Sequence, residues 1–139
     1  MNYARVYKEA QIETATPVKL VVILYDIIIN SIDQALKYFE TRKYDLSNKE
    51  LARAQEGLIE LMTALDFEKG QDIANNLYSI YLYCSKRLFE GNIEKNKDIL
   101  LEVRNILGKL RDAWEQISNM NQNVNGREEV VSKSVDIKG

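Results

Sequence analysis

The chain of 139 residues contains no histidine, a single cysteine, a single proline and six glycines that never stand side by side. Without histidine, the commonest general base and the commonest metal ligand are both missing. So are the Glu-x-x-His pairs that a di-iron carboxylate bundle requires. Cys84 has no partner for an intramolecular disulfide and reads as a small buried thiol in a reducing compartment, which makes the cytoplasm the default location. Isolated glycines leave neither a phosphate-binding loop nor a dinucleotide turn. Charge of one sign is also lacking: 19 Lys and Arg stand against 21 Asp and Glu, for a net charge of −2, with the signs interleaved. Nucleic-acid binding wants clustered basic residues, and a membrane-surface helix wants a basic face, so neither partner is expected. The longest apolar stretch, Leu20 to Ile29, is about half of what a bilayer span needs. The opening residues carry Arg5, Lys8 and Glu9 among tyrosines and do not form a secretory signal. No catalytic, cofactor-binding or metal-ligating set emerges, and the chain reads as a non-enzymatic protein with one domain and no cofactor.

What is present is helical pattern. Thr16-Pro17 suits an N-cap and a first helical residue, because the hydroxyl accepts an orphan backbone N–H and proline has none to lose. The first helix is expected from Pro17 to about Thr41. From Leu20 to Ile29 only Asp26 is charged, so its apolar surface is wider than the stripe of about 100° that one core requires. Asp26 and Asp33 share a face and read as part of its solvated side. Ser47-Asn48-Lys49-Glu50 has the form of a capping box opening a second helix, with Leu51, Ala54, Leu58, Leu61, Met62 and Leu65 on a narrow seam.

A turn at Asp66 to Gly70, with the glycine supplying positive φ, precedes a third helix from about Gln71 to Glu90, closed by Gly91-Asn92. Ile73, Leu77, Ile80, Tyr81, Cys84 and Leu88 form its core face, which leaves Tyr78, Leu82, Tyr83 and Phe89 unaccommodated. A fourth helix spans about Asn96 to Ser118, with Ile99, Val103, Ile106, Leu110, Ala113, Trp114 and Ile117 in register. The remainder is polar, without period or aromatic residue. Four helices joined by short loops give an all-α, antiparallel four-helix bundle. Its expected organisation is an extended or short helical lid over residues 1–16, the bundle over 17–118 and a disordered tail over 119–139.

Eight tyrosines are many for so small a domain, and each offers an apolar body with a polar end, suited to core edges and to interfaces. Tyr3, Val6, Tyr7 and Ile12 precede any strong helix signal and suit a removable cover over surplus apolar surface.

Several of these residues fall into an ordered set of three motifs. Thr14, Ala15, Thr16, Pro17, Lys19 and Leu20 run into Leu24, Tyr25 and Asp26; the third helix carries Ile73, Ala74, Asn76, Leu77, Tyr78, Tyr81 and Tyr83, then Arg87 and Leu88; the last carries Leu110, Arg111, Ala113 and Trp114. On these the chain resembles the FliS family of flagellin-specific export chaperones, from about Tyr3 to Ile117. Ile27 and Ile28 depart from the family, whose members often have small residues there, and Cys84 stands where methionine is frequent. The resemblance implies a cytoplasmic chaperone that holds the C-terminal segment of flagellin against premature polymerisation and keeps it competent for type III export through the flagellar export machinery. It also implies that the N-terminal segment can cover part of the groove when flagellin is absent. The candidate partner-binding residues are Tyr7 and Ile12 in the leading segment, Leu24, Tyr25 and Ile28 on the first helix, and Leu77, Tyr78, Tyr81, Leu82 and Tyr83 on the third. The competing reading is a helical adaptor or regulatory protein whose extra apolar face is buried in a homodimer.

Overall fold

The computed structural model describes the backbone of residues 17–138 and the side chains of residues 18–120. Among the described residues the chain is all-α: α1 Pro17–Glu40, α2 Tyr44–Thr63, α3 Phe67–Glu94 and α4 Lys97–Lys138. Tyr7, Ile12 and the expected Thr16 cap lie outside the described residues. Packing follows a ring in which α1 touches α2 and α4, and α3 touches the same two from the other side. The contacts of α1 are the more extensive, which makes it the central helix.

That position accounts for the width of its apolar surface. A helix clasped on two sides buries a broader arc than a helix laid on one core. Leu24, Tyr25, Ile28, Ile32 and Ala35 are all buried, with Ile27, Ile29, Leu36 and Phe39 packed around them. Gly57 of α2 makes the closest approach: a Cβ there would lie 2.4 Å from Cγ1 of Ile28. The bulky isoleucine is thus accommodated by a missing side chain on the neighbouring helix.

The helix ends depart from expectation. Arg42 takes φ 56° and Lys95 φ 53°. In both turns the next residue's N–H reaches back five residues, Lys43 to the Tyr38 carbonyl and Asn96 to the Gly91 carbonyl, 2.9 Å each. These are Schellman closures with a basic residue in the position glycine usually takes. The first reverses the chain so quickly that α2 starts at Tyr44, and the expected capping box at Ser47 and Glu50 does not form. Ser47 is instead buried within the helix, its hydroxyl donating to the Tyr44 carbonyl at 2.9 Å. The second carries α3 past Gly91, which stays inside the helix because α4 leaves no room for a side chain: a Cβ would lie 2.6 Å from Leu100 Cδ1.

The Nζ of Lys95 lies 5.6 Å from the Phe39 ring centre and 5.1 Å from that of Tyr44, and donates to Asn48 and Asn92. One side chain thereby joins the α1–α2 and α3–α4 connections.

Asp66 caps α3, accepting from the Glu68 and Lys69 N–H groups at 3.1 and 3.0 Å. The positive φ expected of Gly70 falls on Gln71, at φ 44° and ψ −117°, and kinks the helix there. α4 is capped by Asn96, which accepts from the Asp98 N–H at 3.0 Å. Its core face is rotated from the expected register: Leu100 and Leu107 are buried, while Ile117 is exposed. Its backbone continues as helix to Lys138, over the stretch expected to be a disordered tail. No proline interrupts that stretch, and extending an established helix fixes one residue per hydrogen bond without a new nucleation step.

Candidate protein-binding surface

Where α1 begins, the bundle is open. A cleft of about 510 Å³ is lined by Val18 and Val21 of α1, Ala64 to Asp66 of the turn after α2, Lys69, Gly70, Ile73, Ala74 and Leu77 of α3, and Trp114 of α4. The lining is mostly apolar because the core thins out here: α2 has ended and α3 has only just passed its kink. Ile73, expected in the core, is 70% exposed at its edge.

A second apolar surface runs along α3. Tyr78, Leu82, Phe89 and Ile93 recur at steps of four and seven, which puts them on one face, and all are exposed, Phe89 by 63% and Ile93 by 67%. This face borders α2, since the adjoining Ser85 bonds Gln55 twice: the Gln55 amide donates to the Ser85 carbonyl at 2.8 Å, and the Ser85 hydroxyl donates to Gln55 Oε1 at 2.5 Å.

The other side of α3 faces α4 through a polar network. Tyr83 Oη donates to Glu102 Oε1 at 2.7 Å, and Arg87 pairs with Glu102 at 3.1 Å and with Glu90 at 2.7 Å. The Tyr83 hydrogen bond first, then Arg87, hold the Glu102 carboxyl below its ordinary value. The bond to Glu102 raises the Tyr83 phenol in turn. Along the α1–α4 seam Asp26 pairs with Arg111 at 2.7 Å and Asp33 with Arg104 at 2.6 Å, so these carboxylates are ion-paired rather than merely solvated.

The expected contact residues divide sharply. Tyr78, Leu82 and Tyr83 are exposed and Leu77 is half-buried at the cleft. Leu24, Tyr25, Ile28 and Tyr81 are core residues, and as placed they offer no surface to a partner. For the first three the reason is the central position of α1. For Tyr81 it is a hydroxyl pair: Tyr25 Oη and Tyr81 Oη are 2.6 Å apart in the interior. Burial, then the neighbouring phenol, pushes the Tyr25 hydroxyl far above its ordinary value; burial also raises Tyr81. Burial pushes the nearby Cys84 thiol up to about 12, which leaves it protonated and unreactive. Val18, Val21, Phe89 and Ile93 were not among the expected contacts. Val18 stands just ahead of the apolar run of α1 and Val21 lies within it, and the last two share the face of Tyr78 and Leu82, so the spacing carried the signal.

Among the described residues, no three acidic or thiol side chains gather as a metal set, and no helix is long and apolar enough to cross a membrane. Among the described residues the arrangement is a helical one that leaves two apolar surfaces, the cleft and the α3 stripe, open to solvent. The chain belongs to the flagellar protein FliS family, whose model matches residues 1–121. It is 31% identical over 118 residues to the flagellar secretion chaperone FliS of Salmonella typhimurium, covering 84% of this chain and 87% of that protein. It is 30% identical over 118 residues to the flagellar secretion chaperone FliSB of Pseudomonas aeruginosa, covering 85% and 94%. With the FliS of Bacillus subtilis it shares 29% identity over 110 residues, covering 79% and 81%. This is a family of chaperones, not of enzymes.

Proposed function

We propose that this chain is a cytoplasmic export chaperone that binds the C-terminal segment of flagellin, masks its polymerisation surface and delivers it unassembled to the flagellar export machinery. The observation that carries this reading is the apolar cleft between Val18, Ile73, Leu77 and Trp114. A surface of this kind costs free energy while it faces water and is covered by a chain that brings apolar side chains of its own. The α3 stripe through Tyr78, Leu82, Phe89 and Ile93 extends the contact, since its spacing suits anchors at i, i+4 and i+7 on a partner helix. A disordered flagellin segment loses its conformational freedom only on binding and regains it on release. We also read the four helices as an antiparallel bundle: Asp26 meets Arg111 while Asp33 meets Arg104, so α4 descends as α1 ascends.

The leading segment is read as a lid. Its last residue precedes Pro17, and α1 enters the cleft wall one residue later at Val18. Tyr7 and Ile12 are the side chains it brings as competitors for the partner.

Titration calorimetry with a synthetic flagellin C-terminal peptide tests the function. We expect one peptide per chain and a negative heat-capacity change; absence of binding at peptide concentrations up to the millimolar range sinks it. The exposed α3 stripe also supports a second reading, a homodimeric adaptor. A dimer in sedimentation that flagellin peptide neither dissociates nor binds favours that alternative.

A further inference from the structure

The kink in α3 has three features that fit one another. Gln71, at φ 44° and ψ −117°, holds the geometry of the first central residue of a type II′ turn, which glycine adopts freely and a residue with a Cβ resists. Gly70 is pressed so close to Ala74 that a Cβ on it would sit 2.9 Å from the alanine Cβ. Across the kink the rings of Phe67 and Tyr78 meet edge-on with centres 5.9 Å apart. In an uninterrupted helix two residues with that separation in sequence are roughly 16 Å apart along the axis. The ring contact therefore belongs to the kinked state alone. The kink also gathers the cleft wall, bringing Asp66, Lys69 and Gly70 from before it around one cavity with Ile73, Ala74 and Leu77 from after it. Phe67, Gln71 and Tyr78 are not part of that lining.

We propose that the start of α3 is a two-position arm in which Gln71 is the hinge and the Phe67–Tyr78 ring pair is the latch, and that only the latched position forms the partner cleft. In the other position Gln71 returns to helical dihedrals, α3 runs straight from Phe67, the rings separate and the cleft loses the wall formed by Asp66, Lys69 and Gly70. Backbone strain at Gln71 drives release, the ring pair opposes it, and a bound chain adds its contacts to the latched side. The observed affinity is then the affinity of the latched form scaled by its population. The inference rests on reading the cleft as the site for flagellin.

The test compares the full chain with F67A, Q71G and the F67A/Q71G double variant. Phe67 is a positioning residue here, so F67A is expected to weaken flagellin C-terminal peptide binding roughly fivefold through loss of the latch. Glycine relieves the strain of the latched state and disfavours the straight helix, so Q71G added to F67A should restore affinity to within about twofold of the parent. Peptide-free hydrogen exchange of the amides of residues 68–75 gives a separate readout, because the straight helix supplies the amides beyond Gln71 with i−4 carbonyls that a break withholds: slower in F67A, faster in Q71G. Loss of binding in F67A without rescue by Q71G makes Phe67 a simple contact residue and overturns the hinge. Slower exchange in Q71G than in the parent overturns it with no peptide present. If the parent chain binds no flagellin peptide, the functional reading fails, and the exchange data alone decide the hinge.

Discussion

A single missing methyl group fixes the distance between the two helices that pack most extensively. Because a Cβ at Gly57 would lie 2.4 Å from Ile28 Cγ1, G57A must push α2 off α1 or force Ile28 from its rotamer. We expect a loss of about 1–3 kcal/mol in denaturant unfolding. Partial recovery is expected in G57A/I28V, where the second change removes Ile28 Cδ1, which would lie 2.9 Å from the new Cβ. The Tyr25–Tyr81 pair makes a different kind of statement, about pH. Both phenols have folded-state values above the ordinary 10.0, chiefly through burial. The unfolded chain therefore releases protons that the folded chain keeps. The stability they contribute is complete below pH 10 and is lost as pH rises toward the folded-state values. The urea midpoint should begin to fall near pH 9, where the Cys84 thiol ionises in the unfolded chain but not in the folded one, and fall more steeply beyond 10, and the Y25F/Y81F double variant should flatten the steeper part.

At the scale of the element, sequence and structure part company mostly at helix ends. Periodicity revealed the four helices and the seam of α2, because Leu51, Ala54, Leu58 and Leu61 repeat in step with the helix and face the core. It did not reveal the two closures, since the expectation attached the left-handed position to glycine while Arg42 and Lys95 occupy it. Nor did it reveal the kink, where the strained residue follows the glycine rather than being it. The turn at Arg42 provides a test: R42G removes the Cβ penalty of the left-handed conformation and should stabilise the protein by about 1 kcal/mol in thermal or chemical unfolding. K95G, with the same backbone gain, should fall short of R42G, because it gives up the ring contacts to Phe39 and Tyr44 and the bonds to Asn48 and Asn92. Of the candidate surface, Tyr78, Leu82 and Tyr83 were legible as residues that the core face of α3 cannot hold. Leu24, Tyr25 and Ile28, expected at the surface, are buried in the core, and a wide apolar arc looks the same whether a partner or a second helix of the same chain covers it.

For the molecule as a whole, the two ends of the bundle behave differently. Deleting Met1 to Ile12 removes the proposed competitor for the cleft, so flagellin peptide should associate faster and bind more tightly, as read by stopped-flow fluorescence of Trp114, which lines the cleft. Unchanged rates would dismiss the lid. Y83A is the companion measurement: with Tyr83 46% exposed, loss of its bond to Glu102 should leave the melting temperature within a few degrees of the parent, and any larger change should appear in peptide affinity.

The end joined by Lys95 has a practical use. Its connections lie away from the cleft, and Asp45 beside them is exposed. Cys84 is the chain's own thiol, and it is buried and held protonated. A cysteine introduced as D45C should therefore react alone with a maleimide under native conditions. It supplies a handle by which the folded chain can be anchored to a sensor surface in one orientation, with the open end presented to solution and its Trp114 left unlabelled.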